Sequence, residues 1–343
     1  MKITTIGLDL AKNVFQVHGA DTDGKLVLRK KLRRDQVMVF FANLEPCLIG
    51  MEACGSAHHW ARQLQSLGHE VRLISPQFVK PYVKSNKHDA ADAEAICEAV
   101  TRPTMRFVPI KNVEQQAMLS IHRAREGFIG DRTATGNRIR GLLAEFGLIV
   151  PQGIHHLRTR VPEFIEDGTI ELPGLFRRLI DQLLEHLNWL DQQIDILEEQ
   201  IKVWHRQNDD SQRLAQIPGI GMITATAMVA TIGDARNFRS GRELAAWVGL
   251  VPRQHSTGGK QTLLGISKRG DAYLRKLLVH GARAVAYHIG RKTDPDLWLK
   301  KLIERRPMNV AVVAQANKTV RIVWALLVHG REFRPDYAKK TAA

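Results

Sequence analysis

Four carboxylates and one hydroxyl in this chain have the types and spacing to act on a phosphate ester. Asp9 sits in "IGLDLAK", inside a run of β-branched and apolar residues. A charge inside such a run is costly unless something compensates it, and a divalent cation would do so. Glu52 closes the apolar run "IGMEA", where the chain turns outward. Asp89 and Asp92 open "DAADAEAICEAV" at i, i+3 spacing on one helix face, and Ala90 and Ala91 are small enough to let that helix lie close to a sheet. Oxygen ligands of this kind suit Mg²⁺, and two such ions can clamp the attacking and leaving oxygens of a phosphodiester exchange. Each residue also has a plainer role open to it: Asp89 as an N-cap, Asp92 and Glu94 on a solvated face. Glu94 and Glu98 lie on other faces of the helix and are held in reserve. His58 and His59 are adjacent on a helix, so they point apart and read as surface or supporting groups.

The hydroxyl lies in "RQHSTGGKQ", Arg253 to Gln261. Three readings of this stretch compete. Ser256 and Thr257 could begin a turn, with Gly258 and Gly259 taking backbone angles other residues avoid. Backbone N–H groups could bind phosphate. Ser256 could attack a phosphodiester, with Arg253 and Lys260 steadying the developing charge or gripping the backbone. Ser267, in "GISKRG", is the other candidate nucleophile, in surroundings that read as a helix start.

The elements that must carry these groups fall into three segments. In the first, "ITTIGLDLA", "VFQVHGAD" and "KLVLRKKL" read as three strands in a meander, the last two joined by the turn "DTDGK". A helix over Gln36–Leu44, a strand at "CLIGMEA", a helix through "HHWARQLQSLG", a strand at "EVRLIS" and a helix from Asp89 to Val100 follow. That order is the order of an RNase H-like fold, in which the first strand, the fourth strand and a late helix converge. The middle segment is helical. Phe176, Ile180, Leu183, Leu187, Leu190, Ile194, Leu197, Ile201 and Trp204 step by four and three, a heptad seam that predicts a coiled coil between chains or, alternatively, a hairpin within one. The third segment opens with "LAQIPGIGMITATAMVATIG", where Pro218-Gly219-Ile220-Gly221 between apolar helices has the pattern of a helix–hairpin–helix. Its glycines would let helix-start N–H groups meet a DNA phosphate, with a simple helical turn as the alternative.

Charge points the same way. Residues 211–343 hold 23 Lys+Arg against 8 Asp+Glu, an excess equal to the whole formal net charge of +15. A field so concentrated attracts polyanions, nucleic acid being the usual one. The amino terminus lacks a secretory pattern, the longest apolar runs such as "IVWALLV" are too short for a bilayer, and Cys47, Cys54 and Cys97 form no CxxC pair. These features predict a cytoplasmic protein with reduced, buried thiols and no membrane partner.

Several blocks together, "GLDLAK", "GMEACGSAHHW", "KHDAADAEAI", "PGIG", "ELAAWVGLVPRQHSTGGK" and "GISKRGDAYLRKLLV", closely resemble the DEDD transposases of bacterial insertion sequences, the serine-dependent recombinases guided by a bridge RNA. The resemblance implies a RuvC-like domain over residues 1–160 whose Asp9, Glu52, Asp89 and Asp92 hold Mg²⁺. It implies a helical coiled-coil segment over 161–210, and a basic transposase domain over 211–343 with Ser256 as nucleophile. Many relatives carry two serines before the glycines; here Thr257 occupies the second position. Gly219, Gly221, Arg253, Gly258, Gly259, Lys260, Lys268 and Arg269 are the expected nucleic-acid contacts. Donor and target DNA, a non-coding guide RNA and a second copy of the chain (a dimer or tetramer through 176–204) are the expected partners. A RuvC-like endonuclease using water is the nearest rival. An actin-like sugar kinase would need a second Gly-rich strand-turn that the chain does not contain, and a non-catalytic nucleic-acid binder is the third alternative, against which loss of Mg²⁺ binding in Asp9→Ala with nucleic-acid affinity intact would count.

Overall fold

The apolar runs around Asp9 and Glu52 become adjacent parallel strands at the centre of a sheet. A computed structural model of the protein describes residues 2–84, 89–291 and 297–334. It divides into two compact units, Met1–Val113 and Glu114–Ala343.

In the first unit the elements run β1 (Thr5–Leu10), β2 (Val14–Ala20), β3 (Leu26–Arg33), α1 (Val37–Ala42), β4 (Leu48–Glu52), α2 (Ala57–Ser66), β5 (Glu70–Ile74), α3 (Pro76–Val79), α4 (Asp89–Val100) and β6 (Phe107–Val108). The sheet order is β3-β2-β1-β4-β5-β6. β1, β2 and β3 pair antiparallel, β1, β4 and β5 pair parallel, and β6 returns antiparallel to β5. The meander and the alternation that follows it are as expected. β6 was not, because two residues carry no periodicity. One face of the sheet packs Ile6, Leu8, Phe15, Val17, Ile49 and Met51 against Phe41, Trp60 and Leu64 of α1 and α2. The other packs Ile74 against Val79, Ile96, Ala99 and Val100 of α3 and α4. With helices on both faces, the central strands have no solvated side, which is why they read as unbroken apolar runs.

The second unit begins with two long helices, α5 (Val113–Ala144) and α7 (Gly174–Gln207), bridged by α6 (Ile154–Glu166). The seam of α7 is real, and its own chain covers it: Ile180, Leu187, Leu190, Ile194 and Ile201 are buried. Ile201 packs with Met118, and Ile180 with Ile139 and Leu143, so α5 and α7 run antiparallel. Arg125 binds Glu198 through Nε at 2.8 Å, and Arg132 reaches Asp191 at 3.0 Å. The within-chain hairpin is therefore what these seam residues make here.

The remaining elements are α8 (Asp209–Ala215), α9 (Met222–Ile232), α10 (Gly241–Val248), a hairpin of β7 (Pro252–Thr257) and β8 (Lys260–Ile266), α11 (Ala272–His288), α12 (Leu297–Arg305) and α13 (Met308–His329). Leu244, Val248, Leu274 and Leu278 close around Ala311, Val312, Ala316, Val320 and Val323 of α13. By length and composition α13 could cross a membrane, a correction to the expectation that every apolar run is too short. Its buried stripe makes it the core helix of this unit. Burying each Val or Leu there contributes about 1.5–3 kcal/mol.

Candidate active site

The two strand carboxylates meet because of the register. β1 and β4 pair Gly7 with Gly50 and Leu8 with Met51, and one step further along the same parallel register lie Asp9 and Glu52. Adjacent strands are about 4.8 Å apart. Side chains alternate, so Asp9 faces as Gly7 does and Glu52 as Gly50 does. That face is covered by α4. A Cβ on Gly7 would run into the Ala93 carbonyl and lie 2.5 Å from the Cys97 nitrogen, and one on Gly50 would lie 2.8 Å from Val100 Cβ and 3.1 Å from Ile96 Cγ2. Only glycine lets the helix settle this close.

The direction of α4 follows from the same contacts. Cys97 Sγ donates to the Thr5 carbonyl at 3.8 Å, whereas Ala93 lies over Gly7, so the helix runs against β1 with its first turn toward Asp9. Asp92 is one turn before Ile96, on the flank nearest Glu52, and is half-buried. Asp89 starts the helix, one turn before Ala93; its side chain lies outside the described residues. The Cys54 thiol is held above its ordinary value by partial desolvation first and then by the Glu52 and Asp9 carboxylates, so all three share one end of the sheet. Cys54 is exposed, while Cys47 and Cys97 are buried, which corrects the expectation of three buried thiols.

The reserve carboxylates are committed elsewhere. Glu94 pairs with Arg29 at 3.6 Å and Lys84 at 3.5 Å, and Glu98 with Lys84 at 3.0 Å. His58 accepts the Lys111 backbone N–H at 3.2 Å, and His59 stacks edge-on against Trp60. An all-oxygen donor set from Asp9, Glu52, Asp89 and Asp92 fits a hard divalent ion. Among the described residues no group of three or more His, Cys, Asp or Glu closes around one point. The chemistry of the four donors fits such an ion, and the Asp89 side chain lies outside the described residues.

Ser256 is on a strand, one pair before the turn, which differs from the reading in which Ser256 and Thr257 begin it. Thr257 pairs with Lys260, leaving only Gly258 and Gly259 in the turn, with φ of +55° and +78°. Positive φ at both central residues is the two-residue hairpin turn that suits strand twist. Every residue of β7 is exposed. Gln254 Nε2 donates to Ser256 Oγ at 2.9 Å. Ser256 shares its face with its partner Gln261 and with Gln254, whereas Lys260 stands across from Thr257 on the opposite face. Ser267 is in the segment after β8, its N–H donating to the Val251 carbonyl at 2.8 Å, and α11 begins only at Ala272. Lys268 and Arg269 are exposed there.

The two glycines of "PGIG" separate in role. Gly219 has φ +87°, and a Cβ on it would lie 2.8 Å from the Gly281 carbonyl of α11. Its smallness serves internal packing. Gly221 is the N-cap of α9, exposed, with nothing within 4 Å of where a Cβ would stand.

Gln16, an ordinary strand polar in the sequence, pairs across the sheet with Asp9. Counting back from the short β1–β2 link would have found it, since Ala11 N–H bonds to the Val14 carbonyl at 3.2 Å and sets the register.

Residues 6–147, which span the carboxylate-bearing α/β unit, match a transposase family of the DEDD, IS110 type. Residues 211–296 match the "Transposase IS116/IS110/IS902 family". The chain is 54% identical to a "Probable family 20 transposase" of Pseudomonas aeruginosa, covering 98% of this chain and 100% of that one. It is 46% identical to the "Transposase for insertion sequence element IS1111A" of Coxiella burnetii, covering 97% and 92%. It is 25% identical to the "Pilin gene-inverting protein" of Moraxella bovis, covering 97% and 98%. The chain belongs to the IS110/IS116 family of DEDD transposases, enzymes that cleave and rejoin DNA.

Proposed function

We propose that this transposase breaks and rejoins DNA by transesterification, with Asp9, Glu52, Asp89 and Asp92 holding Mg²⁺ and Ser256 as the nucleophile. The observation that carries this reading is the register that sets Asp9 beside Glu52 on the face covered by α4, with the first turn of α4 at the same end. When bound there, Mg²⁺ stabilises the charge on the attacking and leaving oxygens of the exchange. The serine contributes the chemistry that water cannot. Its Oγ–P bond forms as one P–O bond to deoxyribose breaks, the serine proton leaves to a base or solvent, and the freed sugar oxygen departs as a hydroxyl. The serine ester keeps the bond energy, so a second strand's hydroxyl can displace Ser256 and rejoin the strands without ATP.

Further parts of the reading rest on the same family membership. The first domain is RNase H-like and RuvC-like, a reading that the 3-2-1-4-5 strand order supports. The domains run 1–160, 161–210 and 211–343, and the open N-terminus of α9 at Gly221 grips DNA in the manner of a helix–hairpin–helix. A non-coding bridge RNA guides the choice of donor and target, and copies of the chain assemble as a dimer or tetramer.

The test is a covalent trap. Incubation with DNA and Mg²⁺ followed by denaturation yields a protein–DNA adduct from the wild type and none from Ser256→Ala. Hydrolysed ends without an adduct, or full activity in Ser256→Ala, would overturn the reading in favour of a nuclease that uses water. Sequencing RNA that copurifies tests the guide: a discrete species encoded beside the gene supports it, and bulk ribosomal fragments count against it.

A further inference from the structure

The line of paired residues that joins Glu52 to Asp9 continues across two more strands. Asp9 pairs with Gln16, and Gln16 pairs with Lys31. Alternation puts all four on the α4 face, and neighbours two residues away confirm the direction. Arg29 reaches Glu94 of α4, and His18 feels Glu94, Arg29 and Lys84. The residues between them, Phe15, Val17 and Leu32, belong to the core on the other face, and Lys30 lies over Phe40 at 5.1 Å. The row therefore reads Lys31, Gln16, Asp9, Glu52, with Lys31 about two strand spacings, ~10 Å, from Asp9 along the sheet.

The cations on this face of β3 differ in one respect. Arg29 is paired with Glu94, and Arg33 with Asp35 at 3.1 Å. Lys31 is exposed and has no ion pair among the described residues, and the half-buried Gln16 carboxamide has no hydrogen bond among them. Four carboxylates repel a polynucleotide, and ions bound to them neutralise only the phosphate being exchanged. A neighbouring phosphate needs its own counter-charge from the protein.

We propose that Lys31 and Gln16 form a phosphate grip on the DNA strand beside the carboxylate site. The Lys31 ammonium pairs with a non-bridging oxygen of the phosphodiester adjoining the one that reacts, and the Gln16 amide N–H donates to the same phosphate. This assignment rests on the carboxylates being the catalytic centre.

The experiment measures binding of the full-length protein to a labelled DNA duplex, with Ca²⁺ replacing Mg²⁺, across a series of salt concentrations. A lost phosphate contact lowers the slope of log affinity against log salt by about 0.9 and weakens binding alike on unrelated sequences. Lys31→Gln is expected to show that drop and a roughly tenfold loss of affinity near 0.1 M salt, with Lys31→Arg restoring both. Gln16→Ala is expected to weaken binding without changing the slope. Unchanged slope and affinity in Lys31→Gln would overturn the grip, as would a change seen on single-stranded RNA and absent on DNA. Mn²⁺ titration of the same variants separates this from the underlying reading: Lys31→Gln retains Mn²⁺ binding and Asp9→Ala loses it. If Asp9→Ala keeps Mn²⁺ binding, the carboxylate site itself is misassigned, whatever the salt slopes show.

Discussion

Replacing Gly7 by alanine adds one carbon, and the surroundings leave it no room. The new Cβ would stand 2.5 Å from the Cys97 nitrogen, 2.8 Å from Cys97 Cβ and closer still to the Ala93 carbonyl oxygen. Ordinary carbon contacts lie near 3.5–4.0 Å, so α4 must retreat by about 1 Å. Two of the three clashing atoms are helix backbone, so no rotamer change relieves them. Overpacking of this kind costs about 1–3 kcal/mol of stability. On the proposed assignment the functional cost is separate, because the retreat carries the first turn of α4 away from Asp9 and Glu52. A misplacement of about 1 Å in a catalytic constellation costs on the order of a hundredfold in rate. Urea denaturation gives the first number, and DNA strand transfer, assayed where the variant is fully folded, gives the second. A folded Gly7→Ala protein with wild-type turnover would show that the distance between helix and strand does not set the site.

Three further outcomes follow from particular contacts. His122 is buried between Tyr273 Oη and Thr226 Oγ1, at 3.0 Å from each, and burial pushes its pKa down to about 4. The unfolded chain takes up a proton near pH 6.5 and the folded one does not, so this group destabilises the fold as pH falls from 6.5 toward 4. The full effect is about 3 kcal/mol, and His122→Gln should flatten that part of the stability–pH curve in urea titrations. Gly219→Ala, strained by its φ of +87° and blocked by the Gly281 carbonyl, should lose about 1–3 kcal/mol in the same assay. Gly221→Ala meets nothing, so its stability should stay within about 0.5 kcal/mol while DNA affinity falls, which a binding titration would register.

What the chain discloses about itself depends on which interaction holds each part. β1 and β4 are covered on both faces, so their apolar runs are plain; β6 is placed by two backbone pairings and leaves no pattern. The heptad of α7 announces a narrow apolar stripe without naming the helix that covers it. That partner is α5, whose Arg125 and Arg132 meet Glu198 and Asp191 at spacings visible only once the hairpin is closed. Asp9 and Glu52 stand out as charges in apolar strands. Gln16 and Lys31 look like ordinary strand polars until the register aligns them. The ribbon carrying Ser256 has almost no apolar alternation over "RQHST", because no layer covers it and its ladder is backbone.

The place of α13 bears on how the chain is made. The first unit draws its contacts from residues before Val113 and can fold while the remainder is still on the ribosome. The second cannot finish so early, because the surfaces of α10 and α11 that α13 covers stay bare until residues 308–329 have emerged. A product halted between α12 and α13 would display that uncovered apolar surface beside a strongly basic exterior, a combination that chaperones and proteases recognise. Synthesis through α13 thus sets when the basic half of the molecule can close its core.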